Sequence, residues 1–188
     1  SKSPTFLQTR FVIFDTETTG LKITEDRMLS IGAIGITQQS ICMNDVFECF
    51  VNQEKFSRDT VEIHGIRKSI HNKIAEEAAV FSFLKYINKA VLVGHHIGFD
   101  VAMINQALKR LQLPKLKNTT LDTCQLHLKT FVDLPRQRHF SLDELSQQYN
   151  IPLHDRHNSC GDAYITAQLF LKILSQLKKN NPLSMAYL

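Results

Sequence analysis

Arg10–Gly20, RFVIFDTETTG, lies near the beginning of the chain and is the segment from which the fold is most readily inferred. Its first half, Arg10–Phe14, is a largely apolar run with β-branched and aromatic residues, which is typical of a buried strand. The run passes into acidic and hydroxyl residues and then into a predicted turn at Thr18-Thr19-Gly20. The sequence therefore predicts a buried strand whose end carries acidic side chains.

The segments that follow this strand predict a layered architecture. Met28–Ile36 and Asn44–Val51 are two further strand candidates, and the short links between the first three strands favour an antiparallel meander. Strands predicted at Ala90–Val93 and Thr119–Asp122 then alternate with helices. This order predicts a mixed sheet with helices packed on its faces, in an α/β or α+β fold.

The helices are predicted from a capping motif and from the spacing of apolar residues. Ser141 and Glu144 form a capping box that begins a helix ending at about Tyr149. Apolar residues at helical spacing predict the other helices, at Glu76–Asn88, Phe99–Leu113 and Gly161–Lys179. The predicted apolar stripes are Val80, Phe81, Leu84 and Ile87 in the first of these, and Ile165, Leu169, Ile173 and Leu177 in the last.

Length and composition indicate one ordinary globular domain. The 188 residues are 43% hydrophobic and 21% charged, with 7 Gly and 5 Pro, which excludes disordered, collagen-like and low-complexity chains. We expect a single domain over residues 1–188, with its core at about 9–179. Because the chain begins with Ser1, excision from a longer chain is also consistent with the sequence.

Charge, cysteine usage and hydropathy narrow the class of protein further. The net charge of +4 permits a polyanionic partner without requiring one. The 4 cysteines show no CxxC spacing, which argues against a cysteine-based zinc motif and predicts reduced thiols. No apolar run approaches the ~18 residues of a membrane helix, and the N-terminus has no secretory signal core. We therefore expect a cytoplasmic protein without a membrane partner.

Asp15 and Glu17 are the first candidate functional residues. Side chains two positions apart on a strand point the same way, so we expect both carboxylates to project together from the end of the first strand. Like charges held close together repel each other unless a cation intervenes, and hard oxygen ligands favour Mg²⁺ or Mn²⁺. The alternative is a solvated pair that caps the turn, which the short DxE pattern taken alone favours.

Asp100, Asp162 and His157 extend this hypothesis. Both aspartates stand at predicted helix starts, where an acid also suits the helix dipole. Turns that follow parallel strands gather ligands at one sheet edge, and four carboxylates there would hold two Mg²⁺ about 4 Å apart, the arrangement used for displacement at phosphate. His157 lies five residues before Asp162 and is either a proton acceptor near neutral pH or an exposed loop residue.

Five motifs in series carry a resemblance to a known family. They are FDTETTG (Phe14–Gly20), IHGI (Ile63–Ile66), GHHIGFD (Gly94–Asp100), LDT (Leu121–Thr123) and HNSCGDAYITAQLF (His157–Phe170). Together they resemble the DEDDh, or DnaQ-like, 3′→5′ exonucleases, a family that includes the proofreading epsilon subunit of the bacterial replicative DNA polymerase. The resemblance implies an RNase H-like α/β fold, in which a mixed five-stranded sheet of three antiparallel and then parallel strands is flanked by helices.

The resemblance also implies an activity and its catalytic residues. The expected reaction is metal-dependent hydrolysis of phosphodiester bonds from a 3′ end, with release of nucleoside 5′-monophosphates. His157 is the implied general base. The implied ligands of two divalent ions, Mg²⁺ or Mn²⁺, are Asp15, Glu17, Asp100 and Asp162.

Four further residues match family positions near the substrate, and each has a structural alternative. Thr18 either contacts the terminal 3′ hydroxyl or forms the turn, and Leu21 either wedges against the terminal base or packs in the core. His64 and His95 either lie near the scissile phosphate or support the structure. Arg136, Arg138 and His139 are either phosphate contacts or an ordinary charged loop.

The sequence departs from the family at two positions and leaves the substrate open. His96 stands where the family usually has Asn, and Ser30 replaces a common acidic residue, so local hydrogen bonding should differ. Single-stranded DNA is the favoured partner because a splayed 3′ end must stack and reach the metals. The alternatives are RNA, and a non-catalytic nucleic-acid-binding module, which the presence of all five catalytic positions disfavours.

The expected macromolecular partners are a polymerase subunit or additional domains. The C-terminal tail, Pro182–Leu188, is either a docking segment or the boundary of a longer polypeptide.

Overall fold

The computed structural model describes residues 6–53, 72–131 and 138–180, and the structural statements below concern those residues. Within these ranges five strands form one sheet: β1 (Phe11–Thr18), β2 (Met28–Thr37), β3 (Ser40–Phe50), β4 (Val91–Gly94) and β5 (Thr120–Asp122). Their order is β3-β2-β1-β4-β5. The first three strands are antiparallel, and β4 runs parallel to both β1 and β5. This confirms the predicted mixed sheet.

Helices cover both faces of this sheet. In chain order they are α1 (Glu76–Ile87), α2 (Gly98–Arg110), α3 (Thr123–Leu128), α4 (Leu142–Gln148) and α5 (Ser159–Asn180). The capping box predicted at Ser141 is present at the start of α4. Among the helices of the described residues, none has the combination of length and hydropathy that a membrane span requires.

The central strand β1 divides the hydrophobic core into two layers. Phe11 faces α5, where its ring lies 5.2 Å from that of Phe170. Phe14 faces the opposite layer, where its ring lies 5.2 Å from that of Phe83 in α1. Because side chains alternate along a strand, the apolar residues of β1 pack into the core on both faces of the sheet. This packing extends up to Asp15, where the acidic residues begin.

The predicted helical stripes are correct for α5 and partly wrong for α1. All four predicted stripe residues of α5 are buried: Ile165, Leu169, Ile173 and Leu177. In α1, however, Phe81 is 48% exposed, and Ala79 and Phe83 are buried instead. At about 100° per residue, Ala79, Val80, Phe83 and Ile87 share an arc of about 100° around the helix axis, and Phe81 lies about 100° beyond its edge.

Candidate active site

The strand β1 carries Asp15 and Glu17 to the edge of the sheet. Asp15 pairs with Gly32 and Glu17 pairs with Ser30 across β2. Glu17 is buried, and Asp15 is partly exposed. Their side chains lie on the same face as Phe11, which is the face covered by α5.

Gly32 lets the start of α5 approach these two acids. A Cβ atom at Gly32 would overlap the backbone of Ser159 and Cys160, so any larger residue would push the helix away. The buried hydroxyls of Ser30 and Ser159 lie 2.9 Å apart in a hydrogen bond. The departure at Ser30 noted in the sequence therefore has a structural use, because this bond ties β2 to the first turn of α5.

Asp162 stands in that first turn and completes a group of three acids. Carboxylate oxygens of Asp15, Glu17 and Asp162 all lie within 4.8 Å of one another. Asp162 is only 6% exposed. The packing of α5 on β1 thus brings together acids that are far apart in the sequence. The helix α5 begins at Ser159, 144 residues after Asp15.

Asp100 reaches the same edge from α2. It is 5% exposed, and its Oδ1 accepts hydrogen bonds from the backbone N–H of Thr16, at 3.0 Å, and from the Thr16 hydroxyl, at 2.6 Å. The helix α2 follows β4, the parallel neighbour of β1, which is why its first turn lies beside the end of β1. We call Asp15, Glu17, Asp100 and Asp162 the acidic cluster.

The acidic cluster is electrostatically unfavourable without added cations. Burial raises the pKa of Asp15 well above its usual range, and the charges of Asp100, Asp162 and Glu17 raise it further. Burial likewise raises the pKa of Asp100 to about 7, although the hydrogen bonds from Thr16 oppose this shift. Buried carboxylates of this kind must either bind a proton or gain a positive partner.

Arg156 supplies part of that positive charge and was not singled out in the sequence. Its guanidinium forms ion pairs with Asp162 and, at 2.6 Å, with Asp143 at the start of α4. The pKa of Asp162 is nevertheless raised, because burial outweighs the pairing with Arg156. The available signal was a lone arginine next to His157 in a polar segment, a pattern that solvated loops share.

The acidic cluster fits hard divalent cations. Three of its carboxylates already lie within 4.8 Å of one another, and the ligand atoms are all oxygens. Mg²⁺ and Mn²⁺ prefer oxygen ligands, whereas Zn²⁺ more often takes nitrogen and sulfur. The residues present at this edge therefore suit the divalent ions expected from the sequence.

His157 lies in the loop that leads into α5. Its side chain is exposed, and its backbone N–H donates to Oδ2 of Asp162 at 3.3 Å. The backbone φ of 62° places it in the left-handed region, which is uncommon for residues other than glycine. The backbone of His157 is thus held next to Asp162, while its imidazole is exposed.

Thr18 is the last residue of β1, and Leu21 lies in the turn that follows it. Thr18 is 5% exposed and its hydroxyl donates to the carbonyl oxygen of Gly20 at 2.8 Å, which favours the turn-forming alternative. Leu21 is 83% exposed, which excludes packing in the core. An apolar side chain thus projects into solvent a few residues after the acids of β1.

His95 is held inside the protein by both of its ring nitrogens. Nδ1 lies 2.9 Å from the Thr123 hydroxyl and Nε2 donates to the Phe140 carbonyl oxygen at 2.8 Å. Burial is the main cause that lowers the pKa of His95 to about 4. These bonds favour the structural alternative for His95. His64, with the IHGI motif, Arg136 and the tail Pro182–Leu188 lie outside the described residues.

The family is decided by a match that covers most of the chain. The family model RNase_T, described as Exonuclease, matches residues 12–170. The chain belongs to this exonuclease family. The exonuclease domain is 36% identical over 180 residues to the PolC-type DNA polymerase III of Caldanaerobacter subterraneus subsp. tengcongensis, covering 95% of this chain and 12% of that protein. It therefore spans about one eighth of the length of that relative.

Two further comparisons agree with this family. The exonuclease domain is 30% identical over 173 residues to the DNA polymerase III subunit epsilon of Treponema pallidum, covering 91% of this chain and 79% of that protein. It shares its fold with E. coli Exonuclease I in complex with a dA16 oligonucleotide, with a TM-score of 0.76 and 18% identity over 92% of this chain and 42% of that one. The resemblance to DnaQ-like exonucleases and the RNase H-like fold are thereby confirmed.

Proposed function

We propose that this domain is a 3′→5′ exonuclease that uses two divalent ions, Mg²⁺ or Mn²⁺, to shorten single-stranded DNA and release nucleoside 5′-monophosphates. The observation that carries the proposal is the meeting of carboxylates from β1, α2 and α5 at one edge of the sheet. Membership of the exonuclease family supports the same chemistry.

The residues that would hold the ions are the four of the acidic cluster. Divalent ions bound there would neutralise charge that builds on the phosphate oxygens and would lower the pKa of the attacking water. Asp15 and Glu17 have their backbone fixed by pairing with β2, and Asp100 is fixed by Thr16. Because these carboxylates are positioned before any substrate arrives, little reorganisation is needed in the reaction.

His157 is the proposed general base. Imidazole is the side chain best suited to proton transfer near neutral pH. Its exposed position beside Asp162 leaves the ring accessible to water and to a substrate at the edge of the cluster. In this assignment His157 removes a proton from the attacking water, while Asp162 is a ligand of the cations.

Leu21 supports an unpaired strand as the substrate. The side chain is 83% exposed at the turn after β1, so it offers an apolar surface against which a terminal base can stack. Such stacking requires a base that is not paired with a second strand. The structural relative Exonuclease I was solved with a dA16 oligonucleotide, which agrees with this choice.

The relatives also support a role next to DNA synthesis. The domain matches a segment of PolC-type polymerases and most of an epsilon subunit of DNA polymerase III. We infer that its natural 3′ ends are those produced by a polymerase. A mismatched primer end frays more readily than a paired end, so we expect it to be shortened faster.

The test is a time course on 5′-labelled oligonucleotides of identical sequence. With Mg²⁺, we expect single-stranded DNA to shorten stepwise from the 3′ end, and EDTA to stop the reaction. His157→Ala should slow the reaction by about 10²–10⁴, the usual contribution of a general base. His154→Ala is the matched control, since it removes another exposed loop imidazole and should leave the rate near that of the wild type.

Several results would contradict the proposal. Internal cleavage, or activity that survives EDTA, would exclude the mechanism. Faster shortening of the matched RNA would reassign the substrate, and binding of DNA without any cleavage would favour a non-catalytic module. If His154→Ala were as slow as His157→Ala, the loss of rate would come from disturbance of the loop and not from loss of a general base.

A further inference from the structure

A second group of potential metal ligands lies at the carboxyl ends of β4 and β5. A ring nitrogen of His96, a carboxylate oxygen of Asp122 and the Sγ atom of Cys124 all lie within 4.8 Å of one another. His96 is exposed, Asp122 is partly exposed and Cys124 is buried, so the group extends from the surface into the protein. These three residues have no role in the function proposed above.

The donor atoms of this group differ in kind from those of the acidic cluster. Nitrogen, oxygen and sulfur donors together favour Zn²⁺ and similar thiophilic ions over Mg²⁺. Bonds of about 2.0–2.3 Å place the ligand atoms of a tetrahedral Zn²⁺ roughly 3.3–3.8 Å apart. The observed group therefore needs to close by no more than about 1.5 Å around an ion.

One ring nitrogen of His96 is held by a backbone carbonyl. Its Nε2 donates to the carbonyl oxygen of Phe140 at 3.0 Å. Because a carbonyl oxygen only accepts, Nε2 carries a proton, and in the neutral ring Nδ1 is then the nitrogen with a lone pair for a metal. Histidines that bind metals commonly donate their other ring N–H to a backbone carbonyl, which fixes the tautomer and the ring.

Asp122 and Cys124 are fixed by the start of α3. The carboxylate of Asp122 accepts backbone N–H bonds from Ile97 at 3.0 Å, Cys124 at 2.9 Å and Gln125 at 3.4 Å. An ionised carboxylate offers about four acceptor positions, so capping the helix leaves room for a cation. Burial raises the pKa of the Cys124 thiol, so a bond from sulfur to a cation would release one proton to solvent.

We propose that His96, Asp122 and Cys124 form a binding site for Zn²⁺ or a similar thiophilic divalent cation. Water or His139 would complete the coordination, since the His139 ring lies 5.7 Å from the His96 ring. An ion at this position joins the turn after β4 to the start of α3. His96 stands in the turn that leads into α2, so the ion would also stabilise the segment that presents Asp100.

Co²⁺ is the probe for this site because its bond to a thiolate absorbs in the near ultraviolet. The full chain, saturated with Mg²⁺ to fill the acidic cluster, is titrated with Co²⁺. We expect the thiolate band to saturate at one equivalent in the wild type and to be absent from Cys124→Ser. Loss of a residue that merely supports a metal ligand costs about 10–100-fold in affinity, so His96→Asn should weaken Co²⁺ binding by at least about tenfold.

Two other cysteines provide matched controls. Cys160→Ser removes a thiol near the acidic cluster and Cys42→Ser removes one on β3, and both variants should keep the band. Because Cys124 is buried, its variant is checked by circular dichroism, and the exposed His96 gives an independent test if that variant misfolds.

The proposal is overturned if the wild type shows no band. It is equally overturned if the band persists in a folded Cys124→Ser variant, if His96→Asn binds Co²⁺ as tightly as the wild type, or if the band is lost in Cys160→Ser. The readout does not depend on nuclease activity, so its failure is distinguishable from failure of the exonuclease proposal.

Discussion

Asp45 and Asp15 are both partly exposed aspartates with an arginine among their neighbours, and their surroundings act on them in opposite directions. Arg10 donates two hydrogen bonds of 2.9 Å to Asp45, and this pairing lowers the pKa of Asp45 and raises that of Arg10. Burial raises the pKa of Asp15 well above its usual range, and the charges of three neighbouring carboxylates raise it further. Arg156 offsets this shift only in part.

The difference separates an acid whose charge is satisfied within the folded chain from acids whose charge is not. Asp45 has one cation of its own, so its charge is satisfied within the folded chain. The acidic cluster gathers more negative charge than Arg156 neutralises, which makes it a site that favours added cations. The two regions therefore differ in whether a nearby cation outweighs the effect of burial on the carboxylate, as it does at Asp45 and does not at Asp15.

The largest expected effect comes from Asp15→Asn. We predict that exonuclease activity falls by at least about 10³-fold, because charge stabilisation at the reacting phosphate is a dominant part of such catalysis. We also predict that the metal-free protein becomes more stable, since the change removes a carboxylate that must be buried among like charges. Activity assays and thermal melts in EDTA measure the two effects. A variant that loses both activity and stability would contradict this account.

The pH dependence of metal binding gives the next prediction. The pKa of Asp100 is raised from 3.8 to about 7, so its contribution to stability is fully present below pH 3.8 and is lost as the pH rises through 7. Below pH 7, Mg²⁺ must displace a proton from this carboxyl, which weakens its binding. We therefore expect the rise in melting temperature caused by Mg²⁺ to increase from pH 5 to pH 8.

Asp100→Asn is the control for this pH effect. In that variant the Mg²⁺-induced shift should become smaller and should depend less on pH between 5 and 8. An equal shift at all pH values in the wild type would show that protons and Mg²⁺ do not compete for Asp100.

Arg156→Gln should have a moderate effect on metal binding. The arginine pairs with Asp162, so it competes with a divalent cation for the same carboxylate. Its removal should lower the Mg²⁺ concentration needed for half-maximal thermal stabilisation by about 3–10-fold, equivalent to about 0.7–1.4 kcal/mol. Weaker binding of Mg²⁺ in the variant would mean that Arg156 organises the cluster instead of competing for it.

Asp45→Asn should have the smallest effect, and its effect on stability should be opposite in sign to that of Asp15→Asn. Loss of the charged pair with Arg10 should destabilise the protein by about 1 kcal/mol, or about 2–4 °C in melting temperature, with little effect on nuclease activity. Because the pKa of Asp45 is lowered by this pairing, its contribution is present at neutral pH and is lost as the pH falls below about 4. Thermal melts at pH 7 and pH 3 compare the two conditions.

Much of the fold was predictable because local and global signals agree. The apolar run of β1 and the four-residue spacing in α5 each placed a core element correctly. The antiparallel pairing of β2 and β3 was predicted, but the start of β3 was placed at Asn44 instead of Ser40. The tight turn was not recognised because Gln38 and Gln39 adopt positive φ angles of 50° and 62° without the glycine or asparagine that usually marks such turns. The short helix α3 was missed because its cap, Asp122, also ends a strand.

The meeting of the acidic cluster at one sheet edge was predictable, but the contacts that position it were not. Its motifs have fixed local spacing, whereas the contact between β2 and α5 depends on Gly32, whose significance appears only once the helix lies against it. Arg156 and the group around His96 were missed for the same reason. Arg156 pairs with Asp162, which lies 6 residues later, and His96 lies near Cys124, which lies 28 residues later. Neither spacing belongs to a repeating sequence pattern.

The most direct test of the account is the location of Mn²⁺ in crystals of the domain bound to a single-stranded oligonucleotide with an uncleavable 3′ linkage. Anomalous scattering should show two Mn²⁺ ions about 4 Å apart, coordinated by the acidic cluster, with the 3′-terminal phosphate between them. The side chain of Arg156 should have moved away from Asp162. Crystals saturated with Mn²⁺ that show no ion at Asp15, with Arg156 still paired to Asp162, would contradict the account.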